Sequence, residues 1–472
     1  MAERPTRDEQ TQALAELLEP HPVAKELGVR FADAGFSLFL VGGTVRDGLL
    51  ERAGDDLDFA TDARPEEVVR LLQGWADARF LTGIRFGTVG AKKGGIGMEI
   101  TTFREEAYPE DSRQPHVTFA KDIETDLSRR DFTINAMALR LPSGEFVDPF
   151  RGLYDLAHKR LRTPLAPEVA FQDDPLRMLR AARFVSTLGA TPEEDIVKAI
   201  NAMRERLEII SPERIQDELS KLLVGNHVDT SLLLVVETGL ADSFLPELPA
   251  LQLEQDPVHQ HKDVLRHTFA VVKRCQPDLT LRLAALLHDI GKPKTRVITP
   301  EGVAFHHHEV VGARMAEERL RALRYPEALI RDVVQLVEQH LRFHTYRMGW
   351  SDGAVRRYVR DAGPLLDRLN QLVRADCTTR NPAKAKALAQ LQDELEERIA
   401  RLAEEENLAA IRPPLDGNQV MEHLHLEPGP PVGEALDYLL ELRMDRGPIS
   451  EEEAYRLLDE WGEAKGLTPP PA

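Results

Sequence analysis

Three aspartates stand within four positions in GDDLDFA, residues 54 to 60, and a second set of histidines and aspartates recurs at wide intervals between His267 and Asp376. If LDFA is a strand, alternate side chains share a face. Asp56 and Asp58 then project together, Leu57 and Phe59 turn to the core, and Asp55 points away. Two carboxylates a few ångströms apart repel, and a divalent cation between them is the usual remedy. Taken alone, GDD is more commonly an acidic turn after a glycine.

The preceding residues shift that balance. FLVGGTVRDGLL reads as an apolar strand, the pair Gly42 and Gly43, and a helix opening at Thr44 with Arg46 and Asp47 in its first turn. Glycines at such a junction let phosphate oxygens reach backbone N–H groups at the positive end of a helix. A strand, Gly-Gly, a helix and then a strand bearing Asp-x-Asp is an arrangement that holds a nucleoside triphosphate with its metals.

These groups need a scaffold, and 472 residues exceed what one hydrophobic core usually organises, so several domains are expected. Residues 28 to 165 alternate apolar stretches such as FSLFLVGG and MEITTF with helix-like PEEVVRLL, a mixed α/β pattern; residues 1 to 27 read as a helical extension. Over 166 to 256 apolar residues recur every three or four positions, predicting a helical neck in which Thr191 and Ser211, each followed by proline, are N-caps. Residues 257 to 377 read as helical and histidine-rich, and 378 to 472 as a helical tail containing ELEERIARLAEEEN, IRPPLDGN and EPGPPVG.

Composition adds limits. With no run of 18 or more apolar residues and no apolar stretch in MAERPTRDEQ, neither a membrane span nor a signal peptide is expected, and the cytoplasm is the expected location. Cys275 and Cys377 lie far apart and read as core residues. The net charge of -19 opposes general nucleic-acid binding, so a polyanionic partner needs a local patch; Arg177, Arg180, Arg183, Arg204, Arg206, Arg214 and Lys221 are its candidates.

The string FLVGGTVRDGLLERAGDDLDFAT resembles the first motif of class II tRNA nucleotidyltransferases and bacterial poly(A) polymerases. DLSRRDFTINAMA at 126 to 138 resembles the family's ribose-selecting motif, FVDPFRGLYDL at 146 to 156 the short motif after it, and DDPLRMLRAARF at 173 to 184 its nucleobase template. The fold implied is an α+β, polymerase-β-like head with a mixed sheet, followed by an all-α neck, an all-α HD domain and a helical tail. In RRDFTIN, Arg129 and Arg130 offer phosphate-directed charge, while Asp131 and Asn135, four apart, share a helix face and could grip ribose hydroxyls. Asp174 and Arg177, three apart on one helix face, present a buttressed edge of donors and acceptors. The resemblance implies that this edge reads incoming CTP or ATP, with Arg180 and Arg183 nearby for phosphates or RNA, and that Asp56 and Asp58 hold Mg²⁺. Asp173 stands where the family usually has Glu. Glu99 reads equally as a third carboxylate or a strand-edge charge.

TTFREEAYPEDSRQPHVTF at 101 to 119 resembles the flexible loop retained by CCA-adding and A-adding enzymes, and TGIRFGTVGA at 82 to 91 the nucleotidyltransferase form rather than the GRRF-containing form of poly(A) polymerases. The expectation is addition of CCA, or of its terminal A, to the tRNA acceptor arm, recognised by shape. A poly(A) polymerase, or a phosphohydrolase with a vestigial transferase site, is the alternative.

HQHKDVLRHTF, LAALLHDIGKP, FHHHEVVGA, VEQHL and VRADCTT resemble the HD phosphohydrolase superfamily. The resemblance implies that His267, His288, Asp289 and Asp376 hold a first divalent metal (Mg, Mn, Ni or Fe) and that His308 and His340 can add a second; His306 and His307 read as surface residues, and Lys292 as a phosphate contact. Such a site activates water for phosphoester hydrolysis, and relatives imply 2′,3′-cyclic phosphates or 2′-phosphates on RNA ends; an HD fold kept as scaffold is the competing reading. RPPLDGNQVMEHLHLEPGPPVGEAL resembles the family's C-terminal segment, where Gly and Pro at a helix start admit RNA backbone, though helix punctuation explains it equally well.

Overall fold

A computed structural model describes residues 22–52, 56–107, 116–120, 122–253, 263–299, 302–378, 381–406 and 411–467. The readings of residues 1 to 21, of Gly54 and Asp55, of 108 to 115 within the loop and of the leading HQH therefore lie outside the described residues. The chain forms two compact units, Met1–Pro249 and Ala250–Ala472.

The first unit is built on a seven-stranded sheet. Its strands are β1 (Leu38–Val41), β2 (Asp56–Thr61), β3 (Ala78–Phe80), β4 (Thr88–Lys93), β5 (Ile96–Thr102), β8 (Ala138–Leu141) and β9 (Phe146–Val147). The hairpin β6 (Arg104–Ala107) and β7 (His116–Phe119) stands apart from it. The spatial order is β3-β4-β5-β2-β1-β8-β9; β2 and β5 run parallel and the other neighbours antiparallel, so the sheet is mixed as expected. Period-2 alternation sends Leu57, Phe59, Val89, Ala91, Met98 and Ile100 to one face, where they pack with Ala24, Leu27 and Phe31 of the helix Pro22–Asp33 and Val68 and Leu72 of Pro65–Leu72. That first helix crosses the expected 27/28 division and belongs to the head core. The opposite face is covered at Phe39, Val41 and Ala60 by Ile123 and Leu127, which leaves the N-terminal end of β2 open.

The neck helices follow the three-to-four spacing, with Leu176–Leu188 lying against Pro212–Leu223 and Val228–Glu237. Ser211 stands at the N-cap position with Pro212 at the first position, its side chain making no capping bond, and Thr191 does not act as a cap. Its N–H donates to Lys159 O (2.7 Å) and that of Glu193 to Leu161 O (3.1 Å), holding Thr191–Pro192 extended beside Arg160–Leu161, and the helix begins at Glu194.

Among the described residues the second unit is helical apart from one hairpin, Arg296–Thr299 with Gly302–Phe305, where β-branched Val297, Ile298 and Thr299 override the helical expectation. Pro382–Glu406 packs on Asp352–Ala362 and Leu366–Asp376, tied by Arg398 to Asp352 and by Arg374 to Asp393 and Glu396. The last three helices share a core of Val420, Leu424, Leu439, Leu457, Leu458 and Trp461.

Candidate active and metal sites

At the open end of β2, Asp56 and Asp58 are exposed between buried Leu57 and Phe59. The strand is fastened to the helix Gly43–Leu49 by Thr44, whose Oγ1 accepts from Asp58 N (3.0 Å) and donates to Asp56 O (3.5 Å). Gly42 has φ +67°, and a Cβ there would lie 2.8 Å from Arg130 Nη1 and 3.8 Å from Asp58 Oδ2, so a larger residue would press on the guanidinium that stands at this turn. Glu99 lies opposite Asp58 in the β2–β5 register. Although the residue as a whole is exposed, protein packed around its carboxyl, offset in part by Arg130, lifts Asp58 above its usual value, with Glu99 and Asp56 adding to the rise. Carboxylate oxygens on one strand face are a hard donor set that suits a divalent cation.

Arg130 is aimed by a residue the sequence reading missed. Asp126, with a fully buried side chain, accepts from Arg129 Nη2 (2.8 Å) and Arg130 Nη2 (3.0 Å). Its spacing of three and four from those arginines was the available signal. Burial alone would raise its carboxyl, but the two guanidiniums hold it below the ordinary range.

Asp131 and Asn135 meet, although not on the expected helix face. Phe132 is extended and buried, and only Thr133–Asn135 turn, as a 3₁₀ segment. Asp131 Oδ1 accepts from Asn135 Nδ2 (2.8 Å) and Phe132 N (2.8 Å), and Oδ2 from Arg180 Nε (2.8 Å) and Nη2 (2.5 Å). Asn135 Oδ1 accepts from Arg46 Nη1 (2.5 Å), whose other nitrogens pair with Asp47. Despite burial, Arg180 and Asn135 keep Asp131 ionised far below its usual range. Four bonds fill the acceptor sites of Asp131, whereas the described bonds of Asn135 leave one amide hydrogen for a ligand.

The expected Asp174–Arg177 side-chain pair does not form. Asp174 precedes Pro175 and lies outside the helix that starts at Leu176; its carboxylate accepts from Leu176 N (3.1 Å) and from Arg214 Nη2 (2.7 Å). Arg177 donates to Ala170 O (3.3 Å) and to Arg129 O. The residue before a proline is pushed out of the helical region, so Asp174 is extended and cannot take the i,i+3 geometry, and Arg214 took the place of the local partner.

The candidate basic patch is largely engaged within the protein. Arg180 and Arg183 pair with buried Glu218 (3.2 and 3.1 Å), Arg214 with Asp174, and Lys221 with Asp217 (2.5 Å). Arg177 is buried, Arg206 Nη2 donates to Gln172 O and Arg204 Nη1 to Asn201 O.

In the second unit, helix ends bring six residues together. His267, His288 and Asp376 form one group and Asp289, His308 and His340 another, the ligand atoms of each lying within 4.8 Å of one another. Asp289 lies between the two: its Oδ2 is 3.2 Å from His288 Nε2 and 3.7 Å from His267 Nε2, and its Oδ1 is 3.4 Å from His308 Nε2. The Nδ1–H of His288, His308 and His340 donates to Ala285 O (2.8 Å), Phe305 O (3.0 Å) and Val337 O (2.6 Å), and His267 Nδ1 bonds Thr378 Oγ1 (2.8 Å). Each ring therefore turns Nε2 inward, as metal-binding imidazoles do. Nε2 of His308 and of His340 is buried without a hydrogen-bond partner among the described residues, and burial, with His288 beside it, pushes His340 down to about 3, leaving a neutral lone pair. This donor set fits divalent metal.

Lys292 Nζ donates to Asp289 Oδ2 (2.6 Å) at the edge of the ligand group. His306 and His307 are exposed. His344, 3.7 Å from Asp376 Oδ2, joins the rim unforeseen. Cys275 is buried, its thiol pushed up to about 12 by that burial, and Cys377 is half-buried against Gln392.

A mixed-sheet head with paired strand aspartates, a helical neck and an HD-type ligand set define a nucleotidyltransferase head and neck carried in one chain with an HD domain. The family profiles agree: "Poly A polymerase head domain" matches residues 38–162, "Probable RNA and SrmB- binding site of polymerase A" 189–251, and "HD domain" 264–405. The chain is 34% identical over 437 residues to the A-adding tRNA nucleotidyltransferase of Deinococcus radiodurans, covering 90% of this chain and 95% of that one. It is 46% identical over 211 residues to the CCA-adding enzyme of Lactobacillus helveticus, covering 44% of this chain and about half, 52%, of that relative. The crystal structure of the Bacillus stearothermophilus CCA-adding enzyme in complex with CTP superimposes with a TM-score of 0.70 at 26% identity over 94% of this chain and 99% of that one. The Thermotoga maritima CCA-adding enzyme complexed with tRNA shares the fold, with a TM-score of 0.59 at 18% identity over 95% and 97%. The chain belongs to the family of tRNA nucleotidyltransferases that contains these A-adding and CCA-adding enzymes. No described helix is long and apolar enough to cross a membrane.

Proposed function

We propose that the protein adds CCA, or its terminal A, to the 3′ end of tRNA from CTP and ATP without a nucleic-acid template. The observation that carries this is the placement of Asp58 and Arg130 around the φ-positive Gly42, beside Asp56, in a chain that matches an A-adding enzyme over nearly its whole length. Asp56 and Asp58 would hold Mg²⁺, which lowers the pKa of the RNA 3′-hydroxyl and stabilises departing pyrophosphate. The 3′-oxygen attacks the α-phosphorus as the bond to the bridging oxygen breaks. Arg46 and Arg130 neutralise phosphate charge, the glycine turn admits the phosphates, and the free amide hydrogen of Asn135 meets the ribose while Asp131 fixes its orientation. Arg177, held by two carbonyls, and Asp174, held by Arg214, present the edge that meets the base; Arg180 and Arg183 keep that helix registered with Asp131. The division into a head over 28–165, a neck over 166–256, an HD domain over 257–377 and an RNA-binding tail over 378–472 supports this assignment of roles. From substrates of this kind we infer a cytoplasmic location.

For the second site we propose metal-dependent phosphoester hydrolysis on RNA ends, supported by two three-residue ligand groups with inward Nε2 atoms. The test for both is direct. Transcripts ending at the discriminator base are incubated with CTP and ATP, separately and together, and their 3′ ends sequenced; 2′,3′-cyclic phosphate ends are assayed in parallel. No incorporation would sink the first reading, and a long A tail would move it to a poly(A) polymerase, the reading favoured by the head profile's description.

A further inference from the structure

We propose that the half of the head sheet formed by β5, β4 and β3 is the track for the 3′ strand of the RNA being extended, with Phe80 as a stacking platform for an upstream base. This rests on the transferase reading above.

The argument starts from register. Asp58 lies opposite Glu99, Glu99 opposite Gly90, and Gly90 opposite Phe80, so one row crosses four strands from β2 to β3. Paired residues share a face, and the intervening Leu57, Met98, Ile100, Val89 and Ala91 are buried on the other side. Phe80 therefore stands on the same face as the aspartates, three strand spacings or about 14 Å from Asp58. Arg79 beside it confirms the alternation by donating to Val69 O, on the helix-covered face.

The phosphate- and ribose-site residues of the head lie on the other flank of β2. Gly42, Gly43 and Arg46 follow β1, and Arg130, Asp131 and Asn135 lead into β8. An attacking 3′-oxygen must reach the same carboxylates from the side the nucleotide leaves free, which is that of β5, β4 and β3.

The surface there is shaped for a single strand. Phe80 is 55% exposed, and a Cβ on Gly90 would sit 3.2 Å from Phe80 Cβ and 3.5 Å from its Cδ2, so the ring lies over the glycine with its outer side open. Lys92, in the row of Asp56 and Gly97, is exposed and has no carboxylate partner among the described residues, which leaves a cation for backbone phosphate. Leu81 and Phe86, also exposed, extend the apolar margin towards β4. A cation beside an exposed aromatic ring supplies the two contacts that single-strand binding combines, phosphate charge and base stacking. At about 3.4 Å per stacked nucleotide, and more when extended, 14 Å places the stacked base two to four nucleotides from the reacting end.

The test uses the full chain and a tRNA transcript lacking its 3′ CCA. Nucleotide-free binding is followed by fluorescence anisotropy, and steady-state kinetics are varied separately in RNA and in nucleotide. Phe80→Ala should weaken RNA binding and raise the KM for RNA about 5- to 150-fold, the range of one lost base stack, with the KM for nucleotide within twofold. Phe80→Trp should bind as wild type does, and Phe80→Leu, which keeps apolar bulk without a π face, should resemble the alanine variant. Unchanged RNA affinity in Phe80→Ala, or full recovery in Phe80→Leu, would overturn the platform. If wild type extends RNA and Phe80→Ala binds it equally well, the track alone fails; if wild type adds nothing while Phe80→Ala loses RNA affinity, the transferase reading fails and the track stands.

Discussion

Replacing Asp126 by Asn keeps the shape of the buried side chain and removes its charge. The carboxylate holds Arg129 and Arg130 at 2.8 and 3.0 Å, and those arginine side chains are 16% and 18% exposed. Breaking a buried pair by removing one partner costs about 3–5 kcal/mol. Because both guanidiniums keep some water and Asn can still accept one bond, the low end, about 3 kcal/mol, is expected. For a unit of this size that lowers the melting temperature by roughly 6–12 °C. Calorimetry of the full chain reads it, and because two compact units need not melt together, the loss should fall on the transition that nucleotide shifts. The pH dependence carries a sign. A carboxylate held below its ordinary value contributes its full stabilisation above about 3.9 and loses it as pH falls through the folded value. The gap between wild type and variant should therefore be constant near neutrality and close below about pH 4. Because Arg130 reaches Gly42, the KM for nucleotide should rise as well. A melting temperature within 1 °C of wild type at pH 7, in a protein that binds nucleotide normally, would refute the reasoning.

Gly42→Ala places a side chain at φ +67° with its Cβ 2.8 Å from Arg130 Nη1; stability should fall by about 1–3 kcal/mol and nucleotide affinity with it, measured by unfolding and by equilibrium binding. Asp58→Asn should abolish incorporation and spare phosphohydrolysis, while Asp289→Ala should lower the metal content read by elemental analysis and leave incorporation intact; loss of both activities in either folded variant would contradict two separate sites. Glu406→Ala strands Arg356, whose side chain is 6% exposed beside a 5% exposed partner, and should destabilise the second unit by about 3–5 kcal/mol in urea unfolding.

The sequence by itself determined what depends on local geometry. The period of two in LDFA put Asp56 and Asp58 on one open face, the glycine pair marked the turn at φ +67°, and Ser211-Pro212 started a helix, because each is set by a few neighbouring dihedrals. The six HD-type ligands were readable from their types and order along helices. Tertiary structure alone decided which charge meets which. Asp174 had Arg177 three residues away and took Arg214, 40 residues on; Asp289, beside His288, also reaches His308 with its second oxygen; and two of the arginines expected to face RNA, Arg180 and Arg183, were spent on Asp131 and Glu218. Several partners lie within reach of a long charged side chain, and desolvation on packing selects the one whose burial leaves no charge unpaired. Register across strands distant in sequence likewise placed Phe80 in line with Asp58, a relation that no local pattern contains.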